Sequence, residues 1–273
     1  MKLATIRVRD TSTDRTTAVR AEGDVLVDLG VPDVGAVLAG AEVADGKEYA
    51  VADADFAPLV PRPSKVVCVG LNYRNHIQEM GRDLPEYPTL FCKFADTLIG
   101  AYDDILRPAE TEMFDWEAEL AVVIGREVRR ASEDEAVDAI AGFTVLNDIT
   151  CRDWQFRTRE WLQGKNWDST TPVGPYLVTP DEVGGPRPAL DIRCQVNDQV
   201  MQKDTTGDLL FDPVDLVRYV STMIRLNPGD LIATGTPGGV GHARKPAVFL
   251  QGGETVVTEI EGIGRLENRV VPG

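Results

Sequence analysis

The hydrophobic positions of this chain fall mostly in short runs separated by glycine, proline and acidic turns, a rhythm that predicts strands more than helices. Leu120-Ala121-Val122-Val123-Ile124 is apolar at consecutive positions, rich in Val and Ile, and ends at Gly125, so it predicts a strand buried on both faces. Phe143-Thr144-Val145-Leu146-Asn147 predicts a second, with Asp148 at its carboxyl end. Lys65 to Gly70 and Leu231 to Thr234 predict two more, and residues 4–8, 17–20, 25–29 and 254–271 read as shorter strand runs between turns. Asn197-Asp198, flanked by strand-like segments, has the composition of a hairpin turn.

Helical signals are fewer. Ser132-Glu133-Asp134-Glu135 is a capping box that opens a helix through Ile140, closed by Gly142. Asp212-Pro213 supplies an N-cap and a first-position proline, and Val214, Val217, Val220 or Ser221, and then Ile224 form a stripe expected to pack in the core. Asn72 as N-cap and Gly81 as stop bracket one or two further helical turns. The proline-punctuated connector Ala57-Pro58-Leu59-Val60-Pro61-Arg62-Pro63 predicts a small N-terminal β-rich domain and linker, residues 1–62, ahead of a larger domain, residues 63–273. The fold class expected is α+β, mainly β.

Composition narrows the function. A chain of 273 residues is long enough to bury roughly three quarters of its unfolded surface. A net charge of −16 opposes a nucleic-acid or anionic-membrane partner, because phosphate groups need a basic field. The start, Met1-Lys2-Leu3-Ala4-Thr5-Ile6-Arg7, lacks the apolar core of a signal peptide, and no run approaches the roughly 20 apolar residues of a membrane span, so a cytoplasmic location is expected. Cys68, Cys92, Cys151 and Cys194 are widely spaced and read as reduced, mostly buried thiols.

The chemistry concentrates where the central run begins. Glu117 and Glu119 are two apart, so on a strand they share a face at roughly 6.5–7 Å, and burying both requires protonation, a cationic partner or a divalent cation. Asp148 supplies a third carboxylate, and three hard oxygen ligands suit Mg, Mn or Ca; the alternative is a solvated strand edge or a salt-bridged pair. Lys93 is either the counter-ion of this cluster or a surface lysine. His76 and Glu79, three apart on the short helix, have the anatomy of a base and its orienter, or of a surface ion pair. Gln155 and Lys165 are a donor amide and a cation downstream of Asp148, or ordinary surface groups. The glycines of Gly235-Thr236-Pro237-Gly238-Gly239-Val240-Gly241 fit neither a Walker loop nor a dinucleotide fingerprint and instead permit close backbone approach to a ligand or a turn.

Taken in order, Gly70-Leu71-Asn72-Tyr73, His76, Glu79, Asp115-Trp116-Glu117-Ala118-Glu119-Leu120, Asn147-Asp148, Arg152-Asp153-Trp154-Gln155, Gly164-Lys165, Gly235 to Gly241 and Glu261-Gly262-Ile263-Gly264 resemble the fumarylacetoacetate hydrolase family over roughly residues 63–271. The resemblance implies a mixed β-roll catalytic domain behind a small N-terminal domain, a homodimer, and Glu117, Glu119 and Asp148 as ligands of Mg2+ or Mn2+. It implies His76 and Glu79 as a water-activating dyad, Tyr73, Gln155 and Thr236 at substrate-contacting positions, and Lys165 beside the developing oxyanion. It assigns nothing to His242. The activity expected from it is metal-dependent hydrolysis of a C–C bond in a small β-dicarbonyl keto acid such as an acylpyruvate or fumarylacetoacetate. Decarboxylation of an oxaloacetate-type acid and hydroxymuconate-type isomerisation are the alternatives on the same site, and a non-catalytic keto-acid binder is the reading from a different class.

Overall fold

The central apolar run forms strand Ala118–Ile124, every residue of which is buried, in the computed structural model of the chain; that structure describes residues 1–9, 14–79, 81 and 83–273, and within them the side chains of Arg9, Asp14, His76 and Glu79 fall outside the description. Successive side chains of a strand point to opposite faces. Leu120, Val122 and Ile124 accordingly enter one core with Phe143, Val145, Ile192 and Leu266, while Ala121 and Val123 enter a second with Leu3, Leu59, Leu146 and Leu231. Burying a Val, Leu or Ile side chain contributes roughly 1.5–3 kcal/mol, so a strand sunk between two cores is pinned in register from both sides.

Among the described residues the main sheet has twelve strands, ten on a path running Glu48–Ala50, Val25–Asp28, Asp14–Glu22, Lys2–Arg9, Thr171–Val178, Ile140–Asn147, Ala118–Ile124, Leu231–Ala233, Val66–Gly70 and Thr89–Lys93, and two beside it, Asp55–Phe56 on Lys2–Arg9 and Leu98–Ile99 on Thr171–Val178. It is mixed: Ala118–Ile124 is antiparallel to both of its neighbours, whereas Leu231–Ala233 runs parallel to Val66–Gly70. A five-stranded sheet, Gln199–Thr205, Asp191–Val196, Thr255–Ile260, Gly264–Pro272 and Ile105–Arg107, covers the first core. The architecture is mainly β with few helices, as the fold class anticipates. Strand Lys2–Arg9 pairs with Thr171–Val178, and the connector buries Leu59 and Val60 while the Thr5 hydroxyl donates to the Leu59 carbonyl at 2.7 Å.

The helices follow their sequence signals with three corrections, the first being that the capping-box helix ends at Ala139 and Gly142, expected to close it, lies inside strand Ile140–Asn147. Ser132 and Glu135 close the capping box of Glu133–Ala139, and Asp212 caps Pro213–Met223, whose Val214, Val217 and Val220 are buried. Ile224, expected in that apolar stripe, is instead exposed, because the helix ends at Met223 and residue 224 is already extended. Asn72 is not an N-cap. Helix Arg74–Glu79 starts two residues later, and the Asn72 amide donates to the Phe211 and Thr234 carbonyls at 3.0 and 2.8 Å, stapling three chain segments together; Asp208 accepts from the Asn75 amide at 2.9 Å in its stead. Among the described residues no helix is long and apolar enough to cross a membrane. The four cysteines are unpaired, and burial pushes the Cys151 thiol up to about 12.

Candidate active site

The antiparallel ladder between Ala118–Ile124 and Ile140–Asn147 ends with Ala118 opposite Asn147, and one step further the Asp148 amide donates to the Glu117 carbonyl at 2.8 Å. That last rung sets Asp148 beside Glu117, and Glu119 follows on the same side of its strand. All three side chains are buried, and one carboxylate oxygen of each lies within 4.8 Å of the others. Glu119 Oε2 accepts from the Gly235 amide at 2.8 Å. That residue holds a φ of +101°, a left-handed value that glycine adopts without strain, so the glycine-rich loop turns its backbone donor onto the acid.

Three cations are folded into the same volume. Lys165, buried at the end of helix Leu162–Lys165, places its ammonium 2.7 Å from Glu117 Oε2 and 2.7 Å from Asp148 Oδ2. Lys93 lies 2.7 Å from Asp148 Oδ1 and also donates to the Ile149 carbonyl, so it is the buried counter-ion rather than a surface lysine. Arg152 reaches Glu117 Oε1 at 2.6 Å through Nη1 and Asp115 Oδ2 at 2.8 Å through Nε. Asp115 also accepts from the amides of Trp116, Gly241 and His242 at 2.9, 2.7 and 2.9 Å.

The charges of this cluster do not cancel: four carboxylates face three cations. Burial tends to raise Asp148, but Lys165 and Lys93 outweigh it and hold that acid at about 2. Burial, reinforced by Asp148 and Glu117, pushes Glu119 well above the ordinary carboxylate range. The surplus negative charge therefore resolves at Glu119, with a proton or with a bound cation. Three convergent carboxylate oxygens, no imidazole or thiolate among them, and one excess charge fit a hard divalent ion such as Mg2+ or Mn2+.

Above the acids lies a cavity of about 300 Å³, at the small end of ligand pockets. Glu117, Glu119, Arg152, Gln155 and Lys165 make its polar floor and Thr236 joins them, while Leu71, Phe91, Phe156, Trp161 and Val240 supply apolar walls. The structure thus gathers Glu117, Glu119, Asp148, Lys165, Gln155 and Thr236 in one place. Tyr73 is placed otherwise: it is fully buried, does not line the cavity, and its hydroxyl has no hydrogen-bond partner among the described residues. Residues 76 and 79 lie one turn apart on helix Arg74–Glu79, and the side chains of that expected dyad are outside the described residues. Asp115, Arg152 and the cavity-lining His242 carried no assigned role in the sequence reading. A count of buried charge was the available signal, since three inward acids demand cations and Arg152 follows Asp148 closely in the chain, just past strand Thr150–Cys151.

The family model described as fumarylacetoacetate (FAA) hydrolase C-terminal matches residues 65–271. The chain belongs to this family. Relatives within the fumarylacetoacetate hydrolase group include the mitochondrial oxaloacetate tautomerase Fahd2a of Rattus norvegicus, 45% identical over 79% of this chain and 69% of that protein. Its Homo sapiens counterpart FAHD2A, also named a mitochondrial oxaloacetate tautomerase, is 45% identical over the same shares. Among solved structures, a fumarylacetoacetate hydrolase from Exiguobacterium antarcticum superposes with a TM-score of 0.88 at 32% identity over 99% of this chain and all of that one. A 2-hydroxyhepta-2,4-diene-1,7-dioate isomerase from Mycobacterium marinum gives 0.81 at 32% identity, over all of this chain and 98% of its own.

Proposed function

We propose that this member of the fumarylacetoacetate hydrolase family is a divalent-metal-dependent enzyme that interconverts keto and enol forms of a small β-keto diacid of the oxaloacetate type. The observation that carries the reading is the floor of the cavity, where the Lys165 ammonium bridges two of three convergent carboxylates. Glu117, Glu119 and Asp148 are the residues that would hold Mg2+ or Mn2+, which when bound supplies Lewis acidity toward the oxygens of a keto acid. Lys165 sets positive charge beside the position where an enolate oxygen forms, the place where preorganised charge contributes most. Gln155, braced by Arg152 at 3.0 Å, orients the acid head, and Thr236, whose hydroxyl accepts from Gln202 at 2.8 Å, keeps its own hydrogen for a substrate oxygen. Enolisation moves a proton from the carbon next to the ketone to its oxygen, and we assign that transfer to His76 with Glu79, the pair that the resemblance gives as a water-activating dyad. The names of the tautomerase relatives and of the dioate isomerase support this chemistry over bond cleavage.

Hydrolytic C–C cleavage of an acylpyruvate is the second reading. It needs a water activated by the same dyad, and the likeness to the Exiguobacterium antarcticum fumarylacetoacetate hydrolase favours it. One panel separates the two. With Mn2+ present, loss of the enol absorbance of oxaloacetate without release of pyruvate supports tautomerisation; incorporation of solvent oxygen into the acid product of acetylpyruvate supports hydrolysis. Turnover unchanged by chelator overturns both.

A further inference from the structure

We propose that His242 selects for a second carboxylate: its imidazole N–H receives the far carboxylate of a β-keto diacid whose keto-acid head lies on the floor formed by Glu117, Glu119 and Lys165. This deepens the keto-acid reading and rests on it.

The imidazole is held in place by the backbone rather than by its own polar atoms. Gly241 approaches so closely that a Cβ there would stand 1.9 Å from the Val248 carbonyl oxygen, and the amides of Gly241 and His242 both donate to Asp115. Asp115 is also the partner of Arg152, which grips Glu117. One carboxylate therefore fixes the turn that carries His242 relative to the floor of the cavity. The imidazole packs against Phe156, their ring centroids 5.1 Å apart and tilted by 44°.

What distinguishes His242 is that nothing uses its nitrogens. Both rings of this pair are exposed, and among the described residues the imidazole makes no hydrogen bond or ion pair. The cations of the cavity are committed: Lys165 to Glu117 and Asp148, Arg152 to Glu117 and Asp115. Phe156 and Val240, apolar groups on the same cavity lining, offer a carboxylate no donor, and stripping it of water there without one is costly; the Trp161 indole N–H is the other side-chain donor on that wall. An anionic tail that leaves the floor meets in His242 an uncommitted donor held in a fixed place by the Asp115-bound turn. A hydrogen bond to a charged acceptor of this kind changes affinity on the order of ten- to hundredfold.

The test uses two unreactive ligands that share a 2-hydroxy-acid head, malate with a second carboxylate and lactate without it. Their affinities for the Mn2+-loaded protein are measured by calorimetry in wild type, His242→Ala and His242→Gln. Wild type is expected to prefer malate by tenfold or more, His242→Ala to shrink that preference to about twofold, and His242→Gln, which keeps an N–H donor, to retain part of it. An unchanged preference in His242→Ala, an equal weakening of both ligands, or no preference for malate in wild type overturns the proposal. Oxaloacetate turnover is read in parallel. Its absence from wild type alongside a His242-dependent preference for malate defeats the tautomerase reading and leaves the carboxylate site standing.

Discussion

Lys165 is the residue on which the site closes, because one ammonium satisfies oxygens of two acids that would otherwise repel. Its replacement by Met keeps the volume and removes the charge, so kcat should fall by about 10²–10³, the usual cost of losing one preorganised donor. A Lys165→Met variant within tenfold of wild type, its circular dichroism unaltered, sinks the electrostatic role. Asp115 makes a different prediction. It lines no part of the cavity, yet it partners Arg152 and three amides, and removing one member of a buried ion pair costs about 3–5 kcal/mol. Asp115→Ala should therefore lower the urea midpoint by that equivalent; a loss under 1 kcal/mol would show that Arg152 finds another partner. The acids of this cluster were legible because carboxylates at the mouth of an apolar strand are conspicuous. The cations were legible only as alternatives, Lys93 as counter-ion or surface lysine and Lys165 through the resemblance, and Arg152 not at all, because whether a Lys or Arg faces the core is a tertiary fact.

The pairing of two short helices shows how elements hold this chemistry. Arg152–Gln155 and Leu162–Lys165 cross so closely that a Cβ on Gly164 would meet the Gln155 nitrogen and Cβ at 2.5 Å, so glycine is required for Gln155 and Lys165 to face the same cavity. Gly164→Ala should cost about 1–3 kcal/mol as overpacking, and activity should fall further than stability, since the displaced parts carry the donors. Activity lost only in proportion to the unfolded fraction would mean the crossing is mere packing. Far from the site, the capping box provides the control: Ser132→Ala should cost about 1 kcal/mol in the thermal midpoint with kcat unchanged. At this scale the strands and the two longer helices could be read locally, from apolar runs and caps. Their partners could not. Leu231–Ala233 lies parallel to Val66–Gly70 although most of the chain separates them, and the Asn72 amide serves residues 211 and 234 instead of its own helix. Both depend on which segments meet in space, which no local pattern encodes.

For the whole molecule, the surplus charge at the acid cluster couples stability to pH and to metal, and the sign can be worked out. Glu119 in the fold lies well above its ordinary 4.5, so from that value upward the folded chain holds a proton that the unfolded chain has lost, and stability falls as pH rises through this window. Asp148 works the other way: held at about 2 against an ordinary 3.8, it contributes stability that is present above 3.8 and lost as pH falls toward 2. Above about pH 5 the Glu119 effect is the one left, and a divalent ion in place of the proton cancels it while adding about 2.7 kcal/mol at a hundredfold excess over Kd. With chelator, the thermal midpoint should decline as pH rises above about 5; with Mn2+ it should not, and the gap between the two curves should widen as pH rises. Glu119→Gln, neutral throughout, should flatten the chelated curve and close most of the gap. A wild-type curve in chelator that is level or rising over that range would mean Glu119 is ionised in the fold without a cation, and the charge argument for a metal would fail with it.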